Sequence, residues 1–282
     1  MKKLVITADD FGAAREVNEA VEHAHRHGVL TAASLMAGAP AAADAVARAR
    51  TMPALRVGLH IVVVEGRPTL PPAVIPDLVD ASGCFRADMV MAGIGMFFRP
   101  AVRRQLAQEI AAQFEAFHAT GLALDHVNAH KHFHLHPTVA STILKIGRRY
   151  GMRAIRVPQE PQAVLAKAEP GSRIGRAHVT SPFTRLLRRR LRGSGLCVPD
   201  AVFGLAWSGR MNAARLAGLM AHLPDGLSEI YLHPATAGAF DGAAPGYRYE
   251  EELLALTDRG IIAQAQDSRL HLGGFSDFGV QQ

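Results

Sequence analysis

Cysteine is almost absent. Cys84 and Cys197 stand far apart in a chain of 282 residues, so the sequence has neither a disulfide scaffold nor a CxxC metal motif. A reducing, cytoplasmic setting is expected. Long apolar runs are also missing. None reaches the roughly 20 residues of a membrane-spanning helix, and Asp9 and Asp10 follow Met1-Lys2-Lys3 too soon for a signal-peptide core. A secreted or integral membrane protein is therefore not expected. There is no internal repeat, no low-complexity tract and no Gly-x-Gly-x-x-Gly after the first strand, which weighs against a dinucleotide-binding open sheet.

Core-forming residues are plentiful. Hydrophobic residues make up 49% and charged residues 20%, so the chain can bury a sizeable core. The formal net charge of +6 is modest and unevenly spread. The 14 histidines stand out, because imidazole is both a common metal ligand and an acid–base group.

Short β-branched runs alternate with helical patterns, as in βα units around a parallel sheet. Strands are expected at Leu4–Thr7, Leu30–Met36, Leu55–Val64, Ala123–Asn128, Arg153–Val157, Ala201–Leu205 and Ser228–Leu232. Helices are expected at Ala14–His27, Ala41–Arg50, Pro100–Gly121, Pro137–Tyr150, Phe183–Arg192, Asn212–His222 and Tyr249–Asp258. Segments 66–99 and 159–182 read as irregular insertions. A single α/β domain over residues 1–282, a closed or nearly closed (β/α) barrel of about seven strands, accounts for this pattern and for the length.

Chemistry-bearing residues gather at the expected C-terminal strand ends, where barrels build their sites. Thr7-Ala8-Asp9-Asp10-Phe11-Gly12 ends the first strand; a lone Asp there would read as a helix cap. His60 interrupts an apolar strand, where a hydrogen-bonded core histidine is the plainer reading. The run His126-Val127-Asn128-Ala129-His130-Lys131-His132-Phe133-His134-Leu135-His136 holds five histidines in eleven residues. Packing explains that poorly, because every buried ring nitrogen needs a partner. Spacing alone does not choose among these histidines. Arg156 and His233 close later strands. One carboxylate and two imidazoles suit a divalent metal with open positions. A second carboxylate nearby could act as base, and a histidine opposite as acid.

Jointly, Thr7–Gly12, Gly58-Leu59-His60, the His126–His134 run and Leu232-His233-Pro234 resemble the YdjC-like carbohydrate deacetylases. The resemblance implies a (β/α) barrel of the glycoside hydrolase/deacetylase type with one divalent ion. Zinc suits the ligands, and magnesium, manganese, cobalt and nickel stay open. It implies Asp10, His60 and His130 as ligands, Asp9 as base, His233 as acid, and Arg156 as a residue positioning the base or substrate. His134 is the next candidate ligand. Asn128, His132 and His134 are candidate substrate contacts. Asn128-Ala129 stands where the family usually has Asp-Ser, a departure that bears on chitooligosaccharide specificity. With Gly66-Arg67-Pro68, the histidine run looks most like the hopanoid biosynthesis-associated branch. That implies deacetylation of an N-acetylglucosaminyl hopanoid, with other acylated sugars as alternatives.

Phe183–Arg192 mixes five arginines with Phe183 and three leucines. It reads either as a solvated exterior helix or as a peripheral contact with the inner face of an anionic membrane. Nucleic-acid binding is not expected, since no aromatics interleave with the arginines. Metal-dependent sugar or lipid binding without turnover is the rival to catalysis, and a homodimer is expected on base rate.

Overall fold

The structure, a computed structural model, describes residues 1–171 and 182–279. Its centre is an all-parallel sheet of seven strands: β1 (Lys2–Phe11), β2 (Ala32–Leu35), β3 (Arg56–Ile61), β4 (Val127–Ala129), β5 (Ala201–Phe203), β6 (Gly226–Leu232) and β7 (Leu270–Leu272). The ladder runs β4-β3-β2-β1-β6-β5, and β7 pairs with the first residues of β1. Single parallel bridges, Val127–Ile155 and Ala154–Cys197, extend the β4 side. The result is a half-barrel rather than a closed one. The expected strand at Arg153–Val157 is reduced to those bridges, and β7 takes the seventh place.

Helices α1 (Arg15–His27), α2 (Ala42–Arg50), α3 (Met89–Phe98), α4 (Pro100–Ala119), α5 (Pro137–Gly147), α6 (Gln162–Ala168), α7 (Pro182–Gly193), α8 (Ala213–His222), α9 (Tyr249–Leu256), α10 (Arg259–Ala265) and α11 (Phe275–Phe278) complete the described chain. The causes of several are local. In α1, Val17, Ala20, Val21 and Ala24 make one buried stripe. Pro100 and Pro137 open α4 and α5, where a missing N–H costs nothing. Asp88 caps α3 by accepting from the amides of Val90 and Met91. Segments 66–99 and 159–182 are thus less irregular than expected, since they contain α3 and α6. Residues 172–181 of the second lie outside the described residues.

Strand alternation divides the residues by face. Leu4, Ile6 and Ala8 of β1, Ala33 and Leu35 of β2, Val57, Leu59 and Ile61 of β3, and Ile230 and Leu232 of β6 belong to the main apolar core. The alternate residues face the lumen. At its lower end Val5, Ala32, Ala154, Leu227 and Phe275 form a small apolar plug. Above it lie Thr7, Ser34, His60, Asn128 and Glu229, all buried. Because every strand is parallel, this polar layer opens at the C-terminal ends.

Candidate functional site

The site begins with an irregularity in β1. Ala8 pairs with Ala33 and Phe11 with Leu35, so β1 spends one more residue than β2 across this interval. That is a β-bulge, which can re-aim a side chain. Asp10 within it has φ 63°, a conformation Asp tolerates better than most residues. Neighbouring side chains on a regular strand would face opposite ways. Here both Asp9 and Asp10 border the same cleft.

His60 lies opposite Asn128 in the β3–β4 register, and its Nδ1 is 2.7 Å from the Asn128 side-chain oxygen. Since that oxygen only accepts, Nδ1 carries a proton, which leaves Nε2 as the nitrogen that a cation could claim. Nε2 stands 3.2 Å from Asp10 Oδ1, and His130 Nδ1 stands 3.2 Å from the same oxygen. Asp10, His60 and His130 offer ligand atoms that all lie within 4.8 Å of one another. Two imidazoles and a carboxylate, with one ring's tautomer held from behind, fit a divalent ion. Burial works against charge on both partners, but each favours the other's ionised form. Asp10 is held well below the usual carboxylate range by His130 and His60. His60 is raised by Asp9 and Asp10. The excess negative charge that favours a proton on His60 would equally favour a cation.

Asp9 is held differently. Arg156 spans it and Glu229. Nη2 donates to Asp9 Oδ1 at 2.9 Å and to Glu229 Oε1 at 2.7 Å, Nη1 reaches Asp9 Oδ2, and Nε reaches Glu229 Oε2 at 3.0 Å. The Thr7 hydroxyl donates to Glu229 Oε1 at 2.8 Å. Burial would raise the Asp9 pKa, but Arg156, then His60, outweigh it and lower the value well below the carboxylate range. Arg156 is fully buried and stacks under Tyr231 at 4.5 Å. It acts on Asp9 from behind and does not border the cleft.

Asn128 closes a second buried chain. Its amide donates to Asp9 Oδ1 at 3.1 Å and to Ser34 Oγ at 2.8 Å. Ser34 Oγ lies 2.9 Å from His126 Nε2, and His126 Nδ1 lies 2.9 Å from Asp125 Oδ2. The backbone amides of Phe275 and Ser276 donate to Asp125. Asp125, His126 and Ser34 therefore order as in a hydrolytic triad. The serine, however, is fully buried and already accepts from Asn128, so the chain orients Asn128 and attacks nothing. Gly58 is required beside it, because a Cβ there would sit 2.5 Å from the His126 ring.

His130, His132 and His233 border the cleft, whose volume is about 850 Å³. Lys131 and His132 have φ 52° and 53°. All four non-glycine residues with positive φ among the described ones, Asp10, Glu65, Lys131 and His132, border this cleft, a concentration of strain typical of functional sites. His132 Nε2 lies 2.9 Å from the Tyr231 hydroxyl. Burial keeps that hydroxyl protonated and His132 neutral, and the two share one hydrogen bond whose donor is set by whether the His132 proton is on Nε2 or Nδ1. That Nδ1 has no hydrogen-bond partner. His233 donates its backbone N–H to Glu252 and packs on Tyr247 at 5.1 Å. Burial lowers its pKa against the opposing pull of Asp10 and Asp9.

Asn128 and His134, expected as substrate contacts, lie fully buried behind the cleft wall. Of the two histidines weighed as ligands, His130 is in the three-residue cluster. Segment 66–99 contributes Arg67, Phe85 and Met89 to the mouth. Phe240 and Tyr247 also border the cleft, and no residue of 159–171 does. Sequence reasoning had assigned no role to Glu229, Tyr231 or Glu252. Glu229 carried a usable signal, a charge inside a strand buried on both faces. Glu252 did not, since it sits among Glu250 and Glu251 and only packing makes it the buried one.

A parallel half-barrel with a carboxylate–imidazole cluster at its C-terminal mouth defines the class of this protein. Residues 3–267 match the family described as YdjC-like protein, and the chain belongs to that family. It is 30% identical to a carbohydrate deacetylase of Brevibacillus brevis, covering 98% of this chain and 100% of that one. It is also 30% identical to a carbohydrate deacetylase of Geobacillus stearothermophilus, covering 97% of each. The fold is shared with a protein from Enterococcus faecalis V583 proposed to cleave cellobiose phosphate. That match has a TM-score of 0.78 at 22% identity and covers 99% of both chains.

Proposed function

We propose that this protein is a divalent-metal-dependent carbohydrate deacetylase that removes the N-acetyl group of an N-acetylglucosamine-type sugar, and that the sugar is borne by a hopanoid lipid. The observation that carries the reaction is the Asp10–His60–His130 cluster with Asp9 and His233 bordering the same cleft. The lipid rests on the histidine-run resemblance. A divalent ion bound by the cluster would polarise the acetamide carbonyl and acidify a water molecule.

The chain's own groups supply the rest. Asp9, kept ionised and fixed by Arg156 and Asn128, accepts the water proton as the oxygen attacks the carbonyl carbon. His132, which borders the cleft, contacts a polar group of the substrate. Protonated His233, a strong acid because burial lowers its pKa, gives its proton to the departing amine. Acetate and the free amino sugar are released. Asn128 and Arg156 serve as positioning residues. The whole chain acts as one unit in the cytoplasm. No described helix is long and apolar enough to cross a membrane.

Acetate release from N-acetylglucosaminyl bacteriohopanetetrol and from diacetylchitobiose, with added metal and with chelator, tests this. Release from the lipid, abolished by chelation and restored by a divalent ion, is expected. Release from the soluble sugar alone would remove the hopanoid. Full activity in Asp9→Asn would remove the base assignment.

A further inference from the structure

Helix α3 has no charged or hydrogen-bonding side chain over its ten residues. Ala92 and Met96 hold its inner side, while Met89, Val90, Met91, Ile94, Phe97 and Phe98 are between 41% and 71% exposed. Single exposed apolar residues are ordinary, but six on one short helix are not. Together they present roughly 600 Å² of apolar surface, at the upper end for a monomer. That is short of the roughly 800 Å² per partner of a standard protein interface. A second copy of the chain would need further contact surface to be stable here, whereas a bilayer needs no shape-matched partner.

The charge around α3 is mainly positive, the exposed N-cap carboxylate of Asp88 being the exception on the helix itself. Arg86 and Arg104 are exposed, and neither has an ion-pair partner among the described residues. Arg103 donates to the Phe97 carbonyl at the end of the helix. Arg99 alone of this group is paired, with Asp77 at 2.8 Å. The helix also belongs to the mouth. Met89 borders the cleft beside Phe85 and Ala87, and Phe97 packs edge-on against His136 at the end of the histidine run. In the basic helix α7, Leu187 and Leu191 are buried on the barrel, Leu186 is the one large apolar residue exposed among the described side chains, and Arg188 and Arg192 donate to the carbonyls of Asp200 and Val198.

We propose that α3 is an interfacial anchor that seats the mouth of the cleft on an anionic lipid bilayer. Its apolar face enters the acyl boundary, and Arg86, Arg103 and Arg104 lie among the headgroup phosphates. Where the deacetylase reading also holds, on which this clause rests, the substrate class is an acetylated amino sugar whose lipid stays in the leaflet while its head reaches the cleft.

The test is co-sedimentation of the full chain with vesicles of equal phosphatidylglycerol and phosphatidylcholine, and with phosphatidylcholine alone. The wild type pellets with the anionic vesicles, and less in high salt. The double variant Val90→Asp/Phe98→Asp lowers the bound fraction at least tenfold while releasing acetate from detergent-dispersed N-acetylglucosaminyl bacteriohopanetetrol at the wild-type rate. A Phe98→Trp variant keeps the apolar surface and serves if the charged variant does not fold. Its added emission shifts blue and is quenched by brominated lipid. Three outcomes overturn the anchor: no wild-type pelleting, equal pelleting of the double variant, or a solution dimer that the double variant dissolves. Pelleting without acetate release refutes the deacetylase reading and keeps the anchor, and acetate release without pelleting does the reverse.

Discussion

Arg156→Lys separates a positioning role for Arg156 from a purely structural one. The guanidinium makes two bonds to Asp9 and two to Glu229 from a fully buried position. Lysine keeps the charge but cannot present a planar fork to both carboxylates. Losing part of a charge-assisted set worth about 1.5–3 kcal/mol per bond, with partial compensation by the ammonium, gives a net cost of about 2 kcal/mol. For a chain of this size that lowers Tm by roughly 4–8 °C. Arg156→Leu removes the charge as well and strands two buried carboxylates, for about 3–5 kcal/mol. Activity suffers more than stability in the lysine variant, because an error of about 1 Å in the base can cost about 100-fold. The pH profile carries the separate signature. Arg156 is the largest influence holding Asp9 down, so an Asp9 acid limb of kcat/KM that lies below the assayed range in the wild type moves up into its acid end in both variants. Thermal melts and acetate release across pH 4–9 measure all three. A lysine variant within threefold of wild type, with an unmoved acid limb, would refute the positioning role.

Asn128→Leu removes the acceptor that fixes the His60 tautomer, and metal affinity is expected to fall about 10- to 100-fold in a competitive chelator titration. Unchanged affinity would count against that role. Gly58→Ala drives a methyl into the His126 ring and is expected to cost about 1–3 kcal/mol by urea denaturation. Asp125 is held at about 2 against burial by His126 and the Ser276 amide. Because that lies below its value of 3.8 when unperturbed, its contribution of about 2 kcal/mol is present above pH ~4 and lost as pH falls through about 2. Asp125→Asn should be less stable than wild type at pH 7 and lose less on acidification. Burial pushes Glu252 up to about 8, so its ionisation in the unfolded chain drains stability as pH rises from about 4.5 towards 8. Glu252→Gln should flatten that part of the stability profile, read by melts at pH 5 to 9.

The sequence determined what was local or repeated. The β-branched runs and the amphipathic stripe of α1 named most elements, and carboxylates and histidines at strand ends marked the candidates, among which the family resemblance and not the spacing singled out Asp10, His60 and His130. Parallel βα order requires all strand C-termini to face one way, so convergence at one mouth followed from the pattern. The Arg153–Val157 strand was misjudged because a β-rich run needs a neighbour along its full length. Here it bonds to Val127 on one side and to Cys197 on the other through single bridges, and Val202 of β5 donates to the Gln159 carbonyl just beyond. Helix α3 was missed since it is apolar all round and carries no helical period to detect.

Only the tertiary structure decided how the site is held. The bulge in β1 turns two adjacent aspartates to one cleft, which no strand periodicity foretells. Lumen-facing residues from five separate segments connect Asp125, His126 and Ser34 to Asn128, and Glu229 and Thr7 to Arg156. Such bonds join positions up to 222 residues apart, and their partners are set by sheet order and register. Composition states which side chains are available. The register of a close-packed lumen, where an unpaired buried polar atom is costly, settles which of them touch.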